Sequence, residues 1–137
     1  MSKTKTNSYL LLSRTDAWYK QLSHADLQKL IADNKAWVGR LMAEGKARPG
    51  VALVREGATV FADNKRVVLD GPYAESKEAI GGTLILDVAT LDEAIAIAKA
   101  CPSLRHNSAI EIRPISDECP LDACARAKEQ QPVTVAA

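Results

Sequence analysis

The sequence predicts an α+β fold of the ferredoxin-like βαββαβ order, carrying an extra β-hairpin between its second and third strands. Two stretches of helical periodicity, each flanked by short β-prone runs, are the first observation behind this. The second is a hairpin signal placed midway between them. A chain of 137 residues suits one domain of this kind, with enough length to bury a core.

The first strand is Tyr9-Leu10-Leu11-Leu12-Ser13, a short apolar run. A polar stretch follows, and Ser23 then reads as a helix N-cap with Asp26 in the capping-box position. Leu27, Leu30, Ile31, Val38, Leu41 and Met42 recur at three- and four-residue steps, one apolar stripe on a long helix. Asn34 lies within that stripe and Trp37 flanks it, the departure expected of a helix facing a polar cleft. Gly45 is placed as a C′ glycine.

Pro49-Gly50 reads as a turn, followed by three β-prone pieces over 51–55, 59–62 and 66–69. Asp63-Asn64-Lys65 makes the last two a hairpin. Asp70-Gly71-Pro72 breaks the pattern, and Thr83 to Val88 is the next strand. Thr90 caps a second helix with Glu93 completing its capping box; Leu91, Ala94, Ile95 and Ala98 form the buried stripe, and Pro102 ends it. Ala109 to Ile115 is the closing strand, and a short helix is expected around 121–129. Helices that link strands of one antiparallel sheet pack on one face of it, which gives the split βαβ. The expected division is an N-terminal tail over 1–7, the domain over 8–118 and a C-terminal extension over 119–137.

Composition excludes several function classes. The 18 basic and 17 acidic residues leave a net charge of +1, without the basic excess that phosphate neutralisation demands of a nucleic-acid binder. No run approaches the roughly 20 apolar residues of a membrane span. Cys101, Cys119 and Cys124 are an odd count with no C-x-x-C pair, which favours reduced thiols in a cytoplasm. With His106 they match no closed zinc pattern, so no metal is expected, and nothing in the sequence calls for a cofactor. Ser-His-Asp order and a phosphate-binding glycine loop are also absent.

The segment Val67-Val68-Leu69-Asp70-Gly71-Pro72-Tyr73-Ala74-Glu75-Ser76-Lys77-Glu78 resembles the signature of the DGPF-type proteins, a branch of the YCII-related family. Ile80-Gly81-Gly82, Leu91-Asp92-Glu93-Ala94 and Ile110-Glu111-Ile112-Arg113-Pro114 extend the resemblance in the same order, over roughly residues 8 to 120. The resemblance implies a ferredoxin-like fold that pairs into a dimeric α/β barrel. It also implies no settled activity, with some members associated with extracytoplasmic-function sigma factors. A His–Asp dyad is proposed as the active site of enzymes in the wider family. The dyad histidine falls near Asp33 or Asn34 and its acidic partner near Ala43, so the dyad does not carry over.

Strand alternation supplies an independent expectation. Leu10, Leu12, Leu84, Leu86, Val88, Ile110 and Ile112 should pack under the helices. Tyr9, Leu11, Ser13, Thr83, Ile85, Asp87, Glu111 and Arg113 should face the other way, toward a second copy of the chain. There Arg113 either pairs with Asp87 or clamps a ligand carboxylate. Turn chemistry alone accounts for Asp70-Gly71-Pro72. The functional alternative makes Asp70, Glu75 and Lys77 a charged lip over a cleft, with Gly82 admitting a ligand close to the backbone. His24, in the first turn of a helix, is a candidate acid/base group. Trp18 and Tyr19 read either as shields of a pocket mouth or as dimer anchors. The function expected is a dimeric small-molecule-binding or accessory module. The alternative is a cofactor-independent enzyme acting on a small aromatic or carboxylated substrate through Asp70, Asp87, Arg113 or His24.

Overall fold

The structure is a computed structural model that describes residues 7–15, 18–54, 56–69 and 79–130. Strand β1 (Asn7–Thr15) leads through a 3-10 turn at Trp18–Gln21 into helix α1 (His24–Ala43). Strand β2 (Ala47–Ala52) precedes the hairpin β3 (Ala58–Val60) and β4 (Val67–Leu69). Strand β5 (Ala79–Val88), helix α2 (Leu91–Lys99), strand β6 (Ala109–Pro114) and helix α3 (Pro120–Glu129) complete the order. The main sheet runs β2-β5-β1-β6 with every pair antiparallel, and β3-β4 forms a separate two-stranded sheet. Both β1 and β2 run antiparallel to the β5 strand between them, which makes β1-α1-β2 the split crossover of a ferredoxin-like α+β fold.

The helix ends follow their sequence signals. Ser23 Oγ accepts from the Asp26 N–H at 3.1 Å at the start of α1. At its end Gly45 takes φ 72°, the Gly45 N–H donates to Met42 O at 3.0 Å, and the Lys46 N–H donates to Leu41 O at 2.8 Å. That pair of bonds is a Schellman motif, and glycine adopts its left-handed residue without a Cβ clash. In α2 Thr90 Oγ1 accepts from the Glu93 N–H at 3.1 Å, while Glu93 Oε2 accepts from the Ala89 N–H at 3.3 Å.

The core lies between the sheet and the helices. Tyr9, Leu11, Leu86 and Val88 from the sheet meet Trp37 and Leu41 of α1 and Ala94 and Ala98 of α2. Leu86 is fully buried, worth roughly 1.5–3 kcal/mol by transfer of its side chain from water. Its neighbour across the ladder is Tyr9, and Leu11 sits opposite Leu84 and Ile112. This corrects the expected phase of β1. Tyr9 and Leu11 face the helices, whereas Leu10, Leu12 and Arg14 share the open face with Thr83, Ile85 and Asp87.

The helical stripes also shift. Along α1 the core-facing positions are Leu30, Trp37 and Leu41, with Val38 packed against them, while Ile31 and Met42 are about half exposed. Trp37 is therefore a core residue rather than a flanking one. In α2 Leu91 is exposed and Ile97 packs on the core in its place. Pro49-Gly50 is not a turn but the middle of β2, and β2 starts four residues earlier than the run 51–55 suggests. An edge strand tolerates proline where its missing N–H faces away from the ladder. Pro49 pairs with Leu84 and Ala52 with Gly82, so Gly50 and Val51 together oppose Thr83 in a β-bulge.

Candidate functional site

Asn34 interrupts the apolar face of α1 between Leu30 and Trp37, so helical geometry carries its amide toward the sheet. There a pocket of about 210 Å³ opens beside β1 and β5. Leu11, Trp37, Val38, Leu84 and Ile110 form its apolar walls. Its polar side chains come from Ser13, Asn34 and Ser103, with Gly82, Thr83 and the buried Cys101 also on the wall. Asn34 Nδ2 donates to Ser103 Oγ at 3.3 Å, and Asn34 Oδ1 is buried without a hydrogen-bond partner among the described residues. Turning the amide over would exchange the two ends and still leave one of them unpaired.

A second pocket of about 200 Å³ shares Ser13 and Gly82 with the first. Trp18, Tyr19, Arg14, Gly81 and Ser108 complete its lining. The Trp18 ring stacks on His106 with centroids 5.1 Å apart and planes 11° from parallel, and meets Tyr19 edge-on at 5.9 Å. The Trp18 Nε1–H is the second buried polar group without a partner among the described residues. Arg14 at this end is ion-paired to Glu111.

The remaining candidate residues lie elsewhere. Asp87 is on the open face of the sheet, where Arg48 Nε and Nη2 donate to its two oxygens at 2.6 and 3.0 Å. Ser8 Oγ donates to the same carboxylate at 2.7 Å. The Arg48 hydrogen bonds, against a smaller opposing effect of burial, hold the Asp87 carboxyl below its ordinary range. The same pairing raises Arg48. Asp87 is thus a fixed anion, and its partner is Arg48 rather than Arg113. Arg113 instead reaches Glu111 at 3.2 Å and is largely exposed. His24 is the exposed first residue of α1 and lines neither pocket. Among the described candidates for catalysis or ligand binding only Gly82 lines these pockets, while Trp18 and Tyr19, expected either at a pocket mouth or as dimer anchors, line the second. Asp70, Glu75 and Lys77 lie outside the described residues.

Of the two positions expected for the family's histidine, Asn34 faces the pocket and Asp33 does not. Asp33 bonds to Arg105 at 2.7 Å and Lys29 at 3.1 Å, and the Arg105 bond is foremost in lowering its carboxyl. The polar interruption of the stripe was the sequence signal for Asn34. Ser103 carried none, because its place depends on how the 3-10 turn at Pro102–Arg105 packs on α1. Among the described residues no three His, Cys, Asp or Glu side chains converge as metal ligands, and no helix is long and apolar enough to cross a membrane.

Comparison with known proteins bears on the same residues. The family model of the YCII-related domain matches residues 9–118. A protein of Rhizobium meliloti (strain 1021), described as uncharacterized, is 31% identical over 108 residues, covering 76% of this chain and 84% of its own. From the first strand through the last, this chain belongs to the YCII-related domain family.

Proposed function

We propose that this chain is a small-molecule-binding module that acts as a homodimer, without catalysis of its own. The observation that carries the reading is the Asn34 amide, set inside an apolar pocket with one end unpaired. Leaving a buried polar group unpaired costs about 1–3 kcal/mol, and such groups concentrate where a ligand or a bound water completes them. Trp37 and the aliphatic walls supply the apolar contact area that ligand pockets share. The described acid/base candidates support the non-catalytic reading. The Asp87 carboxylate is engaged by Arg48 and Ser8, and His24 is exposed at the outer end of α1. Neither is in the pocket lining, so neither meets the proximity that proton transfer requires. Dimerisation through the open sheet face accounts for Leu10, Leu12 and Ile85 lying partly exposed side by side there.

The test is a ligand-observed NMR screen of small aromatic metabolites, run in parallel on the wild type and on Asn34→Leu. Compounds that give saturation transfer with the wild type and lose it with the variant are the expected result. A screen in which every hit binds both proteins equally would remove the pocket as the site. Turnover of any hit that is abolished by Asp87→Asn would overturn the non-catalytic reading.

A further inference from the structure

Two buried polar groups lack partners among the described residues, and they differ in kind. Trp18 Nε1 can only donate, while Asn34 Oδ1 can only accept. They belong to the two pockets that share Ser13 and Gly82, so one cleft runs along the ends of β1 and β5 with an orphan group toward each end. The apolar walls, Leu11, Trp37, Val38, Leu84 and Ile110, belong to the Asn34 part. The only lysine, arginine, aspartate, glutamate or histidine among the described lining residues is Arg14, which is ion-paired to Glu111.

Building on the ligand-binding reading above, we infer that the cleft selects an uncharged, two-ended small molecule: a carbonyl-type acceptor at the Trp18 end and an O–H or N–H donor at the Asn34 end. A carboxylate ligand would meet no free cation among the described lining residues to compensate its desolvation, which costs several kcal/mol for an unpaired ion. A neutral carbonyl meets the indole N–H at no such cost. The stack on His106 and the edge contact with Tyr19 hold the indole plane before a ligand arrives. A flat apolar spacer between the two polar ends suits walls made of Leu11, Trp37 and Ile110.

The chain has two tryptophans, so a ¹⁵N–¹H spectrum shows two indole N–H signals, and Trp18→Phe assigns the one from Trp18. The probes are 4-hydroxybenzamide and its homologues with one and two methylenes between ring and amide, against 4-hydroxybenzoate as the charged control. The expected result is a saturable downfield shift of the Trp18 indole signal, with concurrent movement of the Asn34 amide, for at least one amide and not for the benzoate. Trp18→Phe, which keeps a stacking ring, should weaken that binding about tenfold, the factor one neutral hydrogen bond carries. Probes that move Asn34 and Trp37 but leave the Trp18 signal still, or a benzoate that binds as well as the amides, would overturn the two-ended ligand while leaving the pocket a binding site. No perturbation of either end by any probe would overturn both.

Discussion

At the scale of single residues, Asn34 sets function against stability. Its Nδ2 bond to Ser103 is long at 3.3 Å, and its other end is buried unpaired. Replacing it by leucine removes the orphan group and places an apolar side chain on a wall that is already apolar. Asn34→Leu should therefore keep or raise stability, by up to about 1 kcal/mol, while binding is lost. Urea denaturation measures the first and the NMR screen the second; a variant destabilised by about 2 kcal/mol or more would mean that the amide is structural. Asp87 makes a different prediction, because its folded-state carboxyl is held below the ordinary value by Arg48. A lowered carboxyl stabilises the fold above the unfolded pKa of about 3.9, and that contribution is lost as pH falls through the folded value. Asp87→Asn should be less stable than the wild type at neutral pH, with the gap closing as the solution is acidified through the lowered folded-state value. Melts at the two extremes decide it, and a gap that stays constant would count against the ion pair.

Among the elements, β2 depends on a glycine for its pairing. A Cβ at Gly50 would stand 2.0 Å from the Thr83 carbonyl oxygen, backbone that cannot swing aside. The bulge at this point lets the Val51 N–H donate to Thr83 Oγ1 at 3.0 Å and the Leu53 N–H to Gly81 O at 2.9 Å. Gly50→Ala should peel the end of β2 from β5 and cost about 2–3 kcal/mol, read from chemical denaturation and from faster amide exchange at Val51 and Leu53. Unchanged exchange there would show that the strand accommodates the methyl. Helix ends are legible in the sequence because caps are local: Ser23, Thr90 and Gly45 each sit beside the backbone groups they satisfy. The extent of β2 is not. Pro-Gly carries the same local signal in a turn and in a bulged edge strand, and only pairing with β5 separates the two.

For the whole molecule the proposed dimer rests on the open face of the sheet. Leu10 and Ile85 sit opposite one another at its centre, next to Leu12 and Thr83. The charges around them are already paired within the chain, Arg48 with Asp87 on one side and Arg14 with Glu111 on the other. An apolar centre with a neutralised rim resembles the anatomy of subunit interfaces. Sedimentation should give twice the chain mass at micromolar concentration, and Ile85→Lys should give single chains with an unchanged circular dichroism spectrum. A wild-type mass of one chain throughout would refute the dimer.

The sequence by itself determined the order of elements, both helix caps, the inserted hairpin and the family blocks, since all of these are written in neighbouring residues. It also marked Asn34, because one polar residue in an apolar helical stripe is visible from spacing alone. Only the tertiary structure decided which face of β1 is buried. Tyr9-Leu10-Leu11-Leu12 is apolar at every position, so alternation carries no phase, and the hydrogen-bonded register that sets Tyr9 opposite Leu86 had to choose it. That choice put Leu10 and Leu12 on the open face and Leu11 on the pocket wall. The partner of Asp87 and the orphan N–H of Trp18 were likewise out of reach, because each depends on segments distant in sequence meeting at one place.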